Sequence, residues 1–254
     1  MPVMNCVCGH RLEGADEDAL YEAVRAHSDA AHADLNITGD QIRDIMSAWR
    51  QMTPWDGRTA TLEEPVEVRE LTPGRLDDFL GFFDRDAFAD NPIWASCYCM
   101  AYHVGGTLEE WEKRTGKQNR ADKTELIRRG EAQGYMAYAG GRPVAWCHAA
   151  PRTTLPGIVN DPEFSIDDDA SLVGSIVCFV VAAAYRRQGL ASRLLDAACD
   201  GLRRQGLAVA EAYPPKGDAS DARAFRGPLD LYLGAGFERH RESERSIIVR
   251  KALA

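Results

Sequence analysis

Hydrophobic residues follow two different periods along the chain, and each period predicts one kind of element. Apolar positions three and four residues apart predict a helix over residues 15–27 and a second helix that begins at Thr38, where Thr38 and Gln41 fit a capping box. After residue 65, short apolar runs alternate with longer amphipathic segments. We predict strands over residues 66–71, 135–139, 143–149, 175–181 and 207–213, and helices over 74–83 and 190–202. Residues 108–129 are predicted to be helical with a break near Gly116.

Residues 51–65 are rich in the turn-forming types Pro, Thr, Asp and Gly, which is typical of a linker. We therefore divide the chain into a small module over residues 1–50, a linker over 51–65 and a larger domain over 66–254. The small module has two short helices and can bury only a thin core. We expect another interaction to help stabilise it.

Composition and charge exclude several classes of protein. With 45% hydrophobic and 27% charged residues, the chain of 254 residues resembles a globular protein. Its net charge of −9 repels phosphate backbones and anionic lipids, so we expect no nucleic acid and no membrane as partner. The sequence has no signal-peptide pattern, and its seven cysteines do not follow the spacing of a disulfide framework. We expect a cytoplasmic protein with reduced thiols and leave open whether it forms a homodimer.

The most informative segment is a buried strand that ends at Val181 and leads through a short turn into a helix. Arg186 and Arg187 lie in the turn, Gly189 lies where the helix opens, and Ser192 lies in its first turn. Backbone amides at a helix N-terminus and the positive end of its dipole suit a pyrophosphate, and glycine allows close approach. The glycine motifs of phosphate-loop and dinucleotide-binding proteins are absent. From the spacing alone, an ordinary strand-to-helix turn with solvated arginines is an equal alternative to a pyrophosphate site.

Two motifs resemble those of the GNAT acyltransferases. The turn segment 186–191 is similar to the family signature Arg/Gln-x-x-Gly-x-Gly/Ala, and residues 231–237 are similar to its Tyr-x-x-x-Gly-Phe. The resemblance covers residues 66–254. It implies an α/β (α+β) fold with a mixed, mostly antiparallel twisted sheet, splayed central strands and flanking helices, beside a small helical N-terminal module.

This resemblance implies an N-acetyltransferase that moves an acetyl group from acetyl-CoA to the amine of a small molecule or peptide by direct attack. Tyr232 would act as general acid towards the CoA thiolate, with a structural tyrosine as the alternative. The pantetheine arm would pair with the backbone of Phe179 and Val181. The implied CoA-binding residues are Phe179, Val180, Val181, Arg186, Arg187, Gln188, Gly189, Leu190, Ala191 and Ser192. A catalytically silent acyl-CoA sensor is the alternative function.

The general base stays open at this point. His148, Glu211 and the acids of residues 161–169 all have a route to the site, but no spacing singles out one of them.

Residues 97–103 bring Cys97, Cys99 and His103 close together in sequence. They could line the acceptor pocket, form a redox pair, pack as apolar groups, or bind a metal together with Cys147 or His148. A covalent acyl-cysteine route through Cys97, Cys99 or Cys147 is a minor alternative.

The N-terminal module contains two thiols followed by two imidazoles. The segment up to residue 49 resembles a family of small, predicted metal-binding proteins of unknown function. In that light Cys6, Cys8, His27 and His32 are the expected ligands, with His10 in reserve. Two thiolates and two imidazoles can complete a tetrahedral zinc site, which would explain how so thin a core folds. Histidines that are merely solvated on a helix face are the alternative.

Overall fold

The computed structural model describes residues 1–6, 8–53, 55, 57–62, 65–105, 108–217 and 224–253. Residues 54, 56, 63 and 64 of the predicted linker therefore lie outside the described residues. The strands are β1 (Val3–Asn5), β2 (Arg11–Glu13), β3 (Glu67–Glu70), β4 (Tyr135–Ala139), β5 (Arg142–Pro151), β6 (Val173–Val181), β7 (Val209–Ala212), β8 (Glu238–Glu242) and β9 (Ile247–Ala252). The α-helices are α1 (Glu17–Ala31), α2 (Gly39–Gln51), α3 (Leu76–Arg85), α4 (Leu108–Glu112), α5 (Gly116–Arg128), α6 (Pro156–Val159), α7 (Leu190–Arg204) and α8 (Leu229–Gly234).

Seven strands form one sheet in the order β3-β4-β5-β6-β7-β9-β8. All neighbouring strands are antiparallel except β6 and β7, which are parallel because α7 forms the crossover between them. The parallel pairing joins residues 173–176 to 209–212, and β6 then continues to Val181 without β7 beside it. The predicted mixed, mostly antiparallel sheet with splayed central strands is confirmed.

Each face of this sheet carries its own apolar layer. Helix α7 presents Leu190, Leu194 and Leu202 at helical spacing to one face, and all three are buried. Phe79 on α3 packs on the opposite face, where its ring meets Trp146 of β5 edge-on at 5.1 Å between ring centroids. Both layers are predicted by the local hydrophobic periods. None of the described helices combines the length and the apolar composition needed to cross a membrane.

The N-terminal module contains the two predicted helices, and the capping box of Thr38 and Gln41 at the start of α2 is confirmed. A hairpin of β1 and β2 packs on them, with Met4 opposite Leu12 and both side chains buried. The predicted helical module thus also contains a short two-stranded sheet. Strands of three residues each bury a single apolar side chain, so they leave too weak a period in the sequence to be recognised.

The module packs against the larger domain. Asp44 of α2 accepts a hydrogen bond from the backbone N–H of Gly116 at 2.7 Å and so occupies the N-terminus of α5. Further on, the backbone N–H of Ala60 donates to the carbonyl of Ala184 at 2.8 Å. Ala60 of the predicted linker thus lies against the turn that follows β6.

Glu211 on β7 is fully buried at the centre of an ionic network. Its Oε1 accepts hydrogen bonds from Arg152 at 3.0 Å and from the Tyr213 hydroxyl at 2.7 Å. Its Oε2 accepts from Arg250 Nε at 2.7 Å. The Tyr213 hydroxyl also lies 2.7 Å from Ser175 Oγ on β6, so the network joins the two parallel strands. Charges this deep persist only when they are paired.

We expect Glu211→Gln to lower the free energy of unfolding by about 3 to 5 kcal/mol, because it leaves the buried Arg152 without its counterion. Urea unfolding followed by far-UV circular dichroism measures the change. Glu242→Gln is the control, since Glu242 lies on exposed β8 and pairs with Lys216 at the surface. The control should change stability by less than about 0.5 kcal/mol. Equal stability of the two variants would contradict the structural role of Glu211.

Candidate functional site

The turn between β6 and α7 exposes the N-terminus of α7. Gly189 is its N-cap residue, with a left-handed φ of 78° that glycine adopts without strain. A glycine has no side chain to cap the helix, so the first amides of α7 and the positive end of its dipole face the same space. A Cβ on Gly189 would have no described heavy atom within 4 Å, so this space is open. Such an arrangement binds anionic groups.

Residues 190–192 form the first turn of α7. The Leu190 side chain is buried and anchors this turn to the core, whereas Ser192 is exposed beside the open amides. Arg187 is also exposed and adopts a left-handed φ of 59°, which is uncommon for an arginine. The predicted phosphate-binding residues therefore lie together around one open helix end.

Arg186 is held within the protein, in a way that the sequence motif does not reveal. Its Nη2 donates to Asp90 at 2.9 Å and its Nε donates to the Val181 carbonyl at 3.1 Å. Gln188 donates to the Ala60 carbonyl at 2.8 Å. The side chains of Arg186 and Gln188 thus fix the loop between β6 and α7. This loop positions the first amides of α7.

Phe179, Val180 and Val181 lie on β6 beyond the last residue that pairs with β7. On their other side they pair with β5, with Phe179 opposite Cys147 and Val181 opposite Ala145. The edge of β6 that faces the gap has no strand partner among the described residues. An extended chain could add to such an edge by backbone hydrogen bonds.

Tyr232 lies on α8 and is fully buried. Its hydroxyl donates to the Arg226 carbonyl at 2.6 Å, and its ring packs edge-on against Phe237 at 5.3 Å. Burial, followed by the nearby Cys147 and Cys178, raises the pKa of Tyr232 well above its ordinary value. The phenol therefore keeps its proton throughout the neutral range.

Most of the predicted candidates for the general base are bound to arginines. Glu211 belongs to the buried network described above. Asp161 lies 3.1 Å from Arg245, and Asp168 pairs with Arg250. These contacts join residues more than 35 positions apart, which local spacing cannot reveal. His148 differs from them because it has no carboxylate or arginine contact among its described neighbours, and its Nδ1 lies 3.3 Å from Cys99 Sγ.

Residues 97–103 and His148 meet in the core on the side of the sheet opposite α7. The rings of His103 and His148 stack at 4.7 Å between centroids. Cys178 of β6 and Lys123 of α5 also belong to this group, and sequence reasoning missed both. Lys123 lies on the buried stripe of α5 four residues before Ile127, so the helical period could have placed it inside.

The charges of this group depend on one another. Burial raises the pKa of Cys99, but a hydrogen bond from Cys178 and the neighbouring His148 and Lys123 outweigh it and lower that pKa well below its ordinary value. Burial lowers the pKa of His148 and of Lys123. Burial and the neighbouring Cys99 raise the pKa of Cys97 to about 11. Cys99 is thus the thiol of this group that most readily loses its proton.

The four expected metal ligands converge in the N-terminal module. Cys6 Sγ lies 3.1 Å from His32 Nε2, and Cys8 Sγ lies 3.3 Å from His27 Nε2. All four ligand atoms lie within 4.8 Å of one another. Tetrahedral zinc with such ligands spaces them by roughly 3.3 to 3.8 Å. This cluster could therefore hold a metal ion after small side-chain movements.

Burial and the neighbouring His10 and His32 lower the pKa of His27, which favours the neutral imidazole that metals bind. His10, the reserve ligand, stacks on His27 at 4.7 Å between ring centroids. Within the part of the chain that the structure describes, no other group of three or more cysteine, histidine or acidic side chains has this geometry. The metal alternative for residues 97–103 therefore gains no support.

Solved acetyltransferase structures and one protein-family model are similar to this chain. The solved N-acetyltransferase from Staphylococcus aureus Mu50 is 12% identical, and the match covers 75% of this chain and 100% of that chain with a TM-score of 0.47. PaiA N-acetyltransferase from Thermoplasma acidophilum, solved in complex with coenzyme A, is 13% identical over 74% of this chain and 99% of its own, with a TM-score of 0.45. No curated protein matches the sequence significantly. Residues 97–223 match the model of the acetyltransferase (GNAT) family, which is half of the 254 residues, and the chain therefore belongs to that family.

Proposed function

We propose that this protein is an acetyl-CoA-dependent N-acetyltransferase that acetylates the amine of a small molecule or peptide by direct attack. One observation carries the proposal: the open amides of α7 lie directly after the strand edge that β7 leaves free. A ligand with a pyrophosphate and an extended, amide-containing arm would satisfy both features at once. Membership of the acetyltransferase (GNAT) family supports the same chemistry.

In this proposal the pyrophosphate of acetyl-CoA binds the amides of residues 187–192. The side chains of Arg187 and Ser192 donate further hydrogen bonds to it. The pantetheine arm pairs with the backbone of Phe179 and Val181 and brings the thioester into the gap between β6 and β7. Arg186 contributes by holding the turn, since Asp90 and Val181 occupy its guanidinium.

We expect Gly189→Ala to raise the Kd of acetyl-CoA by roughly tenfold, because the new methyl group projects into the open space before the amides. Isothermal titration calorimetry measures the affinity. Gly206→Ala is the matched control: Gly206 follows the other end of α7, has a φ of 83° and likewise has open space around it. Both variants place alanine at a left-handed φ and so bear the same kind of backbone strain. Equal Kd values for the two variants would show that the N-terminus of α7 does not bind acetyl-CoA.

Tyr232 is proposed as the general acid that protonates the departing CoA thiolate. Its raised pKa supports this role because the hydroxyl still carries a proton at neutral pH. In the structure this proton is donated to the Arg226 carbonyl, so the hydroxyl has to turn away from that carbonyl to protonate the thiolate.

We expect Tyr232→Phe to lower kcat by about 10² to 10⁴-fold and to leave the Kd of acetyl-CoA within a factor of about two. Thiol release from acetyl-CoA across a panel of amines measures kcat. Phe237→Leu, a change in the ring that packs on Tyr232, controls for altered packing. An unchanged kcat in Tyr232→Phe would assign the tyrosine a structural role. Tight binding of acetyl-CoA by the wild type, with no amine acetylated, would favour the acyl-CoA sensor instead.

We also propose that Cys6, Cys8, His27 and His32 bind a structural zinc ion in the N-terminal module. The convergence of their ligand atoms supports this assignment. The module has a small core around Leu20, and a metal bound only by the folded state adds its binding free energy to stability.

We expect the purified protein to contain zinc and to lose thermal stability when a chelator removes it, with the Tm of the module falling by about 5 °C or more. Inductively coupled plasma mass spectrometry and thermal unfolding measure the two effects. Cys6→Ser should reproduce the chelator effect, whereas His10→Ala, beside the four ligands, should retain the metal. A protein without zinc or iron that melts unchanged with chelator would disprove the site.

A further inference from the structure

Two thiols and one imidazole lie close together in the core beside strand β6. Cys99 Sγ lies 3.3 Å from His148 Nδ1, and the Cys178 thiol is close enough to Cys99 to lower its pKa. All three residues are buried. A nucleophilic sulfur beside an imidazole is the arrangement that enzymes use to form acyl-thioesters.

Several polar atoms around this group have no hydrogen-bond partner among the described residues. They are His148 Nε2, His103 Nε2 and Lys123 Nζ, all of them buried. Burial of such atoms without partners is unfavourable, and in native proteins it often marks a functional site. A reacting acyl group would bring a carbonyl oxygen, which is an acceptor for these donors.

The group lies next to the gap between the parallel strands. Cys178 is the second residue of β6 after Ile176, where pairing with β7 ends, and it directly precedes Phe179. Its thiol is also close enough to Tyr232 to raise the pKa of that phenol, after the larger effect of burial. Cys99 is therefore close to the strand that the pantetheine arm is proposed to follow.

The other cysteines considered in this region lack these features. Cys147 lies on the opposite face of the sheet, among the residues that pack against α7, and burial raises its pKa well above the ordinary value. Cys97 has a raised pKa and, among the described contacts, no imidazole beside its sulfur. Cys99 combines an imidazole contact with a neighbouring buried lysine, Lys123.

We propose that Cys99 is a second acyl acceptor, which takes the acetyl group from acetyl-CoA when no amine is bound, with His148 as its base. This activity rests on the proposed function, because it requires the thioester in the gap between β6 and β7. It operates beside direct transfer to an amine.

The step exchanges one thioester for another. The Cys99 thiol gives its proton to His148 Nδ1, and its sulfur attacks the carbonyl carbon of acetyl-CoA. A new carbon–sulfur bond forms on Cys99, the bond to the CoA sulfur breaks, and His148 passes the proton that it took from Cys99 to the departing CoA sulfur. The products are acetyl-Cys99 and CoA thiol. Because reactant and product are both thioesters, added CoA thiol reverses the step.

The test uses the full-length protein with acetyl-CoA and no amine, quenched in acid and analysed by intact-mass spectrometry and peptide mapping. We expect a stoichiometric burst of CoA, one acetyl group on Cys99, and its removal by neutral hydroxylamine or by added CoA thiol. Cys99→Ala and His148→Asn should abolish the burst. Cys199→Ser, a change in a buried thiol on α7, should retain it.

Peptide mapping of the wild type decides the question even if a core variant fails to fold. Binding of acetyl-CoA and acetylation of an amine, without acetyl-Cys99, would overturn this inference and leave the proposed function intact. An acetyl group found on Cys97 or Cys178 would overturn it as well. Absence of acetyl-CoA binding in calorimetry would overturn the proposed function and this activity together.

Discussion

Strand β6 pairs in parallel with β7 through residues 173–176 only, and the remaining architecture follows from this short pairing. A parallel pair requires a crossover, so α7 must begin just beyond the end of β6 and return to the start of β7. The open amides of α7 therefore lie at the same end of the sheet as the unpaired edge of β6. One topological constraint thus creates the strand edge and the helix N-terminus that a nucleotide thioester needs.

The network around Glu211 holds β6 and β7 together up to the point where they separate, because Tyr213 links it to Ser175 on β6 and Arg250 links it to β9. The turn after β6 is held from its other side by Arg186 and Asp90. The gap is consequently framed by buried or partly buried ion pairs, which resist sliding better than apolar contacts because their geometry is directional.

Local patterns predicted the elements of this frame but not its long-range contacts. The hairpin at 135–149, the strand ending at Val181 and the capping box at Thr38 each depend on residues close in sequence, and all were predictable. The partner of Arg186 lies 96 residues away, and that of Cys99 lies 49 residues away. Hydrophobic periodicity within a segment cannot predict contacts between residues this far apart in sequence. Candidate bases were therefore indistinguishable in sequence, whereas the structure separates paired carboxylates from an imidazole beside a thiol.

The N-terminal module is connected through α5 to the residues around Cys99. Asp44 of α2 binds the first amide of α5, and Asn119, one turn further along α5, donates to the Ser96 carbonyl at 2.9 Å. Ser96 precedes the thiol segment, and Lys123 on the next turn of α5 lies beside Cys99. Helix α5, whose N-terminus is held by the module, thus carries both Asn119, which binds Ser96, and Lys123, which neighbours Cys99. An interaction that stabilises the module, such as a bound metal, therefore also restricts the position of α5 and of the residues around Cys99.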